Sequence, residues 1–232
     1  MSWDYAYSHD IFFDISAMHF IFDKEFCMDD HFQWDGVYNT KQSDSVSWFQ
    51  ETPKISLDLI GKIAQSKSDR IIDVGSGASK LIDELEAREF RNVSILDISQ
   101  TALNITKNRL IKFADKYEWL VGDVTKIELP KNHYKIWHDR AVFHFLTEKG
   151  QRQKYISQLT NSIAPNGNVI IATFSLDGPK KCSGLDIVGY SAQTLAEELG
   201  NKFTLIESII EQHHTPSGSI QEFIYCHFKV AS

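Results

Sequence analysis

Residues 70–79 read Arg-Ile-Ile-Asp-Val-Gly-Ser-Gly-Ala-Ser. The apolar run ending at Gly75 predicts a short buried strand followed by a glycine turn. Ser79 to Phe90 follows with Leu81, Ile82 and Leu85 on one face and acids on the other, a helix pattern. Gly75 and Gly77, lacking Cβ atoms, permit a sharp turn and close approach of a ligand to the backbone. The start of the following helix offers free N–H groups to a carboxylate or phosphate. A dinucleotide fingerprint would carry a third glycine, but that position is Lys80, which weakens a nicotinamide reading.

Working outward, the alternation repeats. Val93-Ser-Ile-Leu-Asp97 is a second strand, and Ser99 caps a helix carrying Ala102, Leu103, Ile105 and Leu110. Glu118 to Gly122 and Tyr134 to Trp137 are further strands, and Gln151 to Ile163 is a helix ending before the turn Pro165-Asn-Gly167. Asn168 to Phe174 is continuously apolar, as in a strand buried on both faces of a parallel sheet. Phe203–Ile210 and Gln221–Val230 are separated by Thr215-Pro-Ser-Gly218, too short for a crossover helix, so they predict an antiparallel hairpin. The expected fold is α/β: a Rossmann-like, mostly parallel sheet closed by a C-terminal antiparallel hairpin.

Three signals stand at the carboxyl ends of successive strands, where open α/β sheets bind ligands. The Gly75–Gly77 turn follows the first strand, Asp97 ends the second, and Gly122-Asp123-Val124 follows the third. Asp97 suits a bidentate grip on ribose hydroxyls. Asp123 suits an exocyclic adenine amine, with Val124 pressing on the ring.

These pieces resemble a class I S-adenosylmethionine (SAM)-dependent methyltransferase. The resemblance rests on Asp-Val-Gly-Ser-Gly (73–77), Leu-Asp-Ile-Ser (96–99), Gly-Asp-Val (122–124), Ile-Ala-Pro-Asn-Gly (163–167) and the terminal hairpin, with Asn166 at a usual glycine. It implies a doubly wound sheet of seven strands with the last inserted antiparallel, over a domain of residues 31–232. It implies SAM as cofactor, held by Asp73, Gly75, Ser76 and Gly77 at the methionine part, by Asp97 and Ile98 at the ribose, and by Asp123 and Val124 at the adenine. Trp34-Asp-Gly-Val-Tyr38 with Ser47-Trp-Phe49 resembles an N-terminal element of small methyltransferases, some of which act on protein lysines. Trp137-His-Asp-Arg-Ala141 resembles a segment of thiopurine S-methyltransferase-like enzymes, with Ala141 replacing a glycine. The two point to different acceptors.

Methyl transfer from a sulfonium is an in-line displacement that asks mainly for alignment and water exclusion. Trp48 or Trp34 offers an aromatic face to the sulfonium, or simply packs. His138, read as following the fourth strand, is a further cofactor contact, and His138, Asp139 and Arg140 are the candidate catalytic residues. Arg140 suits an anionic or thiol acceptor. Cys182, in the Lys180-Lys-Cys-Ser-Gly184 loop, lies where acceptors approach, and His213-His214 lacks a third ligand at metal spacing, so no metal is expected. A small-molecule acceptor is favoured, a protein lysine is the rival, and a nucleotide-binding oxidoreductase or a non-catalytic SAM-binding protein is the reading from another class.

Composition sets the bounds. The 232 residues carry a net charge of −7, which argues against nucleic acid and membrane surfaces as partners. Most of that charge falls in residues 1–30, where Asp4, Asp10, Asp14, Asp23, Glu25, Asp29 and Asp30 face the single base Lys24. The same stretch holds Trp3, Tyr5, Tyr7, Phe12, Phe13, Phe20, Phe22 and Phe26, and is expected to be an acidic, aromatic extension serving as a lid. The acidic start, the absence of a long apolar run, and the three scattered cysteines 27, 182 and 226 predict a reduced, cytoplasmic protein.

Overall fold

A computed structural model describes residues 30–231. The expected lid, residues 1–30, lies outside them apart from Asp30, which begins the first helix. The elements in order are α1 (Asp30–Thr40), α2 (Lys54–Ile63), β1 (Ile71–Val74), α3 (Leu81–Ala87), β2 (Val93–Asp97), α4 (Gln100–Arg109), β3 (Glu118–Val121) and β4 (Tyr134–Arg140). They continue with α5 (Lys149–Ser162), β5 (Ile163–Phe174), β6 (Lys181–Cys182), β7 (Leu185–Asp186), α6 (Ala192–Leu199), β8 (Phe203–His214) and β9 (Ile220–Val230).

The main sheet has seven strands in the order β3-β2-β1-β4-β5-β9-β8. β1 to β5 pair in parallel, and β9 runs antiparallel between β5 and β8. The doubly wound reading with an inserted antiparallel last strand is therefore what the chain forms. Strand periodicity sorts the apolar residues onto two faces. Ile71, Ile95, Ile136 and Ile170 pack with α2 and α3 on one face. Ile72, Val74, Trp137, Val169 and Ile171 pack with α5 and α6 on the other.

Several boundaries depart from the sequence reading. β4 does not stop at Trp137 but runs through His138, Asp139 and Arg140. Central pairing holds it in register, His138 beside Asp73 and Asp139 beside Val74, so three polar residues lie within the sheet. The helix expected from Ser79 begins at Leu81, because Ser79 Oγ accepts the Leu81 N–H at 3.0 Å and holds the chain outside the helix. The hairpin arms are longer than expected, and α1, α2, α6 and the small β6–β7 pair had no sequence assignment.

Beneath β4 the core is polar where it must be. Tyr155 on α5 donates its hydroxyl to Asp139 Oδ2 at 2.6 Å and accepts the indole N–H of Trp137 at 2.9 Å. All three residues are fully buried. Buried polar groups left unpaired cost about 1–3 kcal/mol each. Tyr155→Phe orphans both partners and should destabilise the chain by about 1–3 kcal/mol, read as a lower urea midpoint; an unchanged midpoint would show that the pairings are dispensable.

Candidate active site

The turn after β1 sets the geometry. Gly75 and Gly77 have φ of +65° and +55°, the left-handed region. A Cβ at Gly75 would collide with the Val142 side chain, and one at Gly77 with the Tyr38 hydroxyl. Asp97, at the end of β2, accepts the Gly77 N–H with Oδ2 and the Ser99 N–H with Oδ1, both at 2.7 Å. Ser99 caps α4 by accepting the Ala102 N–H at 3.1 Å, and it donates to Asp35 of α1 at 2.6 Å. Asp35 also accepts the Thr101 N–H at 3.0 Å. One chain of hydrogen bonds thus joins the β1 turn, the β2 end, α4 and α1.

The β1 turn, the end of β2 and α1 line a cavity of about 400 Å³. Its lining includes Gly75, Asp97, Ile98, Asp123 and Val124 together with Trp34, Trp48, Arg140, Phe145 and Cys182. Trp34 meets Trp48 edge to face at 5.7 Å and Phe145 at 5.2 Å, which makes a packed aromatic wall. A smaller recess shares Tyr38, Trp48, Gly75 and Arg140 with it and adds Asp73, Ser76 and His138. In that recess Asp73 Oδ2 and Ser76 Oγ are buried without any hydrogen-bond partner. Asp123 is held by the Thr125 N–H at 2.8 Å and hydroxyl at 2.7 Å, and by Lys126 at 2.9 Å.

The structure brings together all the expected cofactor residues except Gly77, which sits behind the recess wall against Tyr38 and Asp97. The catalytic trio is divided. Successive residues of a strand face opposite sides, so His138 and Arg140 point to the cleft and Asp139 points away. The Asp139 carboxylate is taken by Tyr155 and by the Val142 N–H at 3.0 Å, and it lines neither cavity. His138 has Nδ1 at 2.7 Å from Asp73 Oδ1 and Nε2 at 2.9 Å from Ser56 Oγ, so both ring nitrogens are engaged. His213 is bonded through Nε2 to the Ser47 carbonyl at 2.8 Å. Tyr38 was visible in the Trp34-Asp-Gly-Val-Tyr38 pattern; Ser56, which meets His138, and Tyr225 and Glu211, which meet Arg140 at 2.8 and 3.7 Å, carried no local signal, because distant elements bring them in.

Residues 71–167 match the family model described as "Methyltransferase domain". No curated protein matches the chain in sequence. Among solved structures, the chain is similar to the Burkholderia thailandensis 1,6-didemethyltoxoflavin-N1-methyltransferase, which holds 1,6-didemethyltoxoflavin and S-adenosylhomocysteine. The identity is 13%, the TM-score 0.66, and the match covers 88% of this chain and 85% of that one. It is also similar to the N-methyltransferase NodS of Bradyrhizobium japonicum with S-adenosylhomocysteine, at 12% identity and a TM-score of 0.65, covering 86% and 99%. A third structure, described as converting a disulfide bond into a thioacetal group during echinomycin biosynthesis, matches at 14% identity and a TM-score of 0.67, covering 87% and 92%.

Two buried carboxyls have ionisation shifted by their surroundings. Burial pushes Asp97 up to about 6 against the pull of the Ser99 and Gly77 N–H groups, with Asp73 and Asp35 adding repulsion. Burial likewise raises Asp139 to about 6, against its bonds from Tyr155 and Val142. Burial acts upward on Asp123 too, but its Thr125 and Lys126 bonds outweigh this and the net shift is downward. Asp97 and Asp139 therefore bind protons more readily folded than unfolded, and their ionisation costs stability that returns as pH falls from about 6 toward about 4. A carboxyl-carbon NMR titration should find two midpoints near 6, one removed by Asp97→Asn and the other by Asp139→Asn; two midpoints near 4 would contradict the burial argument.

Proposed function

We propose, for a chain whose fold and matched domain are those of the class I S-adenosylmethionine-dependent methyltransferases, that it transfers the methyl group of SAM to a small-molecule acceptor. The observation that carries this reading is the convergence of Asp97, Asp123, Val124 and Gly75 on one cavity that continues into the recess of Asp73 and Ser76. The residues fit the donor. Asp73 Oδ2 and Ser76 Oγ are orphaned polar atoms that suit the ammonium and carboxylate of a methionine part. The space at Gly75 and Gly77 admits no side chain. Asp97 has lone pairs left for two ribose hydroxyls, and Asp123 with Val124 offers the adenine an acceptor and an apolar face. Bound SAM supplies a methyl group already activated on a sulfonium.

The chain's own residues supply alignment and dryness. The Trp34–Trp48–Phe145 wall excludes water and presents aromatic faces suited to a cation. His138 is a positioning residue: its bond fixes Asp73 through Oδ1 and leaves Oδ2 without a partner. Asp139 acts only through the Val142 turn. The position that a third glycine would occupy is Lys80, ion-paired to Glu51, which counts against a dinucleotide oxidoreductase. A walled cavity favours a small acceptor over a protein side chain.

Radiolabelled SAM offered with thiols, carboxylic acids, amines and lysine peptides should label a small molecule; label found only in a protein band would move the acceptor to a protein lysine. Asp97→Ala should weaken SAM binding by more than about tenfold, the worth of charge-assisted hydrogen bonds. Wild-type affinity should fall as pH drops below about 6, where Asp97 takes up its proton. Unchanged affinity in the variant would remove Asp97 from the ribose site.

A further inference from the structure

β8 stands at one end of the seven-stranded sheet and, among the described residues, pairs only with β9. Its outer edge therefore presents unpaired main-chain N–H and C=O groups along a strand of 12 residues. The opposite edge, β3, has only 4 residues. Edge strands are usually kept from joining other chains by shortness, by Lys or Pro, by bulges or by a covering element. β8 is long and contains no Lys or Pro, and its register with β9 slips once, between Leu205 and Glu207.

The strand's two faces differ. Ser208 pairs with Cys226 and Ile210 with Ile224, which places both on the α5–α6 face of the sheet. Alternation adds Ile206 and Gln212 to that face. These four residues carry no charge, and Ile206 and Ile210 are each 52% exposed. Glu207 and Glu211 lie on the other face, where Lys62 holds Glu207 at 2.6 Å and Gln50 holds Glu211 at 2.7 Å.

We propose that β8 pairs antiparallel with β8 of a second copy of this chain, about a two-fold axis through Ser208, so that one sheet runs across both copies. A two-fold contact must be self-complementary, and this strand is. About Ser208, Ile206 faces the partner's Ile210 and Ile210 faces the partner's Ile206. Glu207 then faces the partner's Ile209, and Glu211 the partner's Leu205. An axis at Ile209 would set Glu207 against Glu211, and an axis at Glu207 would set that residue against itself; like charges directly opposite are destabilising. Only the Ser208 register sets both exposed isoleucines against isoleucines with no glutamate against a glutamate. That self-match selects a second copy as the occupant. The uncharged face also offers no counter-charge to the seven acids of residues 1–30. The pairing bears on the cavity too, because β8 anchors the Trp48 loop: Gln50 donates to Glu211, and the Ser47 carbonyl meets His213 Nε2 at 2.8 Å. The inference does not depend on the methyl-transfer reading.

The test is sedimentation velocity of the full chain over a concentration series, with cross-linking of S208C as a second reading. The wild type should reach twice the chain mass of 26.6 kDa. I206K/I210K sets lysine against lysine across the axis and should raise the dimer's dissociation constant by at least about tenfold. Both positions are exposed, so circular dichroism should show an unchanged fold. Opposed residues of antiparallel strands have Cα atoms about 4.5–5.5 Å apart, within disulfide range. S208C should therefore cross-link to its copy under a mild oxidant, whereas the wild type and Q212C should not. A wild type of single-chain mass at every concentration would overturn the proposal; slow hydrogen exchange of the β8 amides would then assign the edge to the chain's own residues, and fast exchange to a different partner. A dimer that survives I206K/I210K, or that S208C fails to cross-link, would overturn it by placing the interface elsewhere.

Discussion

The Asp97 carboxylate, buried and accepting two backbone N–H groups, is the constraint on which the site depends. It fixes the left-handed turn at Gly77 to the end of β2, and through Ser99 it fixes the start of α4. Asp35 draws α1 onto the same cap, which brings Tyr38 and Trp34 to the cavity. A carboxylate is well suited to this: it accepts about four bonds, and two are used in holding the loop. The same burial that orders it also makes its charge costly. The β1 turn, the end of β2 and the α4 cap thus hang on one ionisable group.

The second organising fact is the polar end of β4. Because side chains alternate across a strand, three consecutive residues divide their tasks. His138 steadies Asp73 on the cleft side, Asp139 anchors the Val142 turn from the opposite face, and Arg140 returns to the cleft side, ion-paired with Glu211 at 3.7 Å. Each is buried or nearly so, and each is tied to a partner far away in the chain: Ser56, Tyr155 and Tyr225 respectively. Ala141 follows at φ +72°, turning the chain directly after Arg140. Among the described residues no helix is long and apolar enough to cross a membrane.

Much of this was legible in the sequence, and the limits were physical. The β1 turn, Asp97 and Asp123 were readable because strand, glycine and acid follow one another locally. The antiparallel hairpin was readable because its loop is too short for a crossover, whereas the insertion of its last strand between β5 and β8 was implied only by the family resemblance. The length of β4 was not: His138, Asp139 and Arg140 look like a loop, and only Asp73, Tyr155 and Tyr225 make their burial tolerable. Ser99 announced α4 by its capping chemistry, whereas the two-residue strands Lys181–Cys182 and Leu185–Asp186 have no periodicity to detect. Grouping His138, Asp139 and Arg140 as one constellation treated neighbours in sequence as neighbours in the site, which strand geometry forbids.

The function proposed here makes the convergent cavity a SAM site. Isothermal titration of the wild-type chain with S-adenosylhomocysteine and, separately, with NAD tests this. Saturable one-to-one binding of S-adenosylhomocysteine and no binding of NAD is the expected result. Binding of NAD without binding of S-adenosylhomocysteine would contradict it.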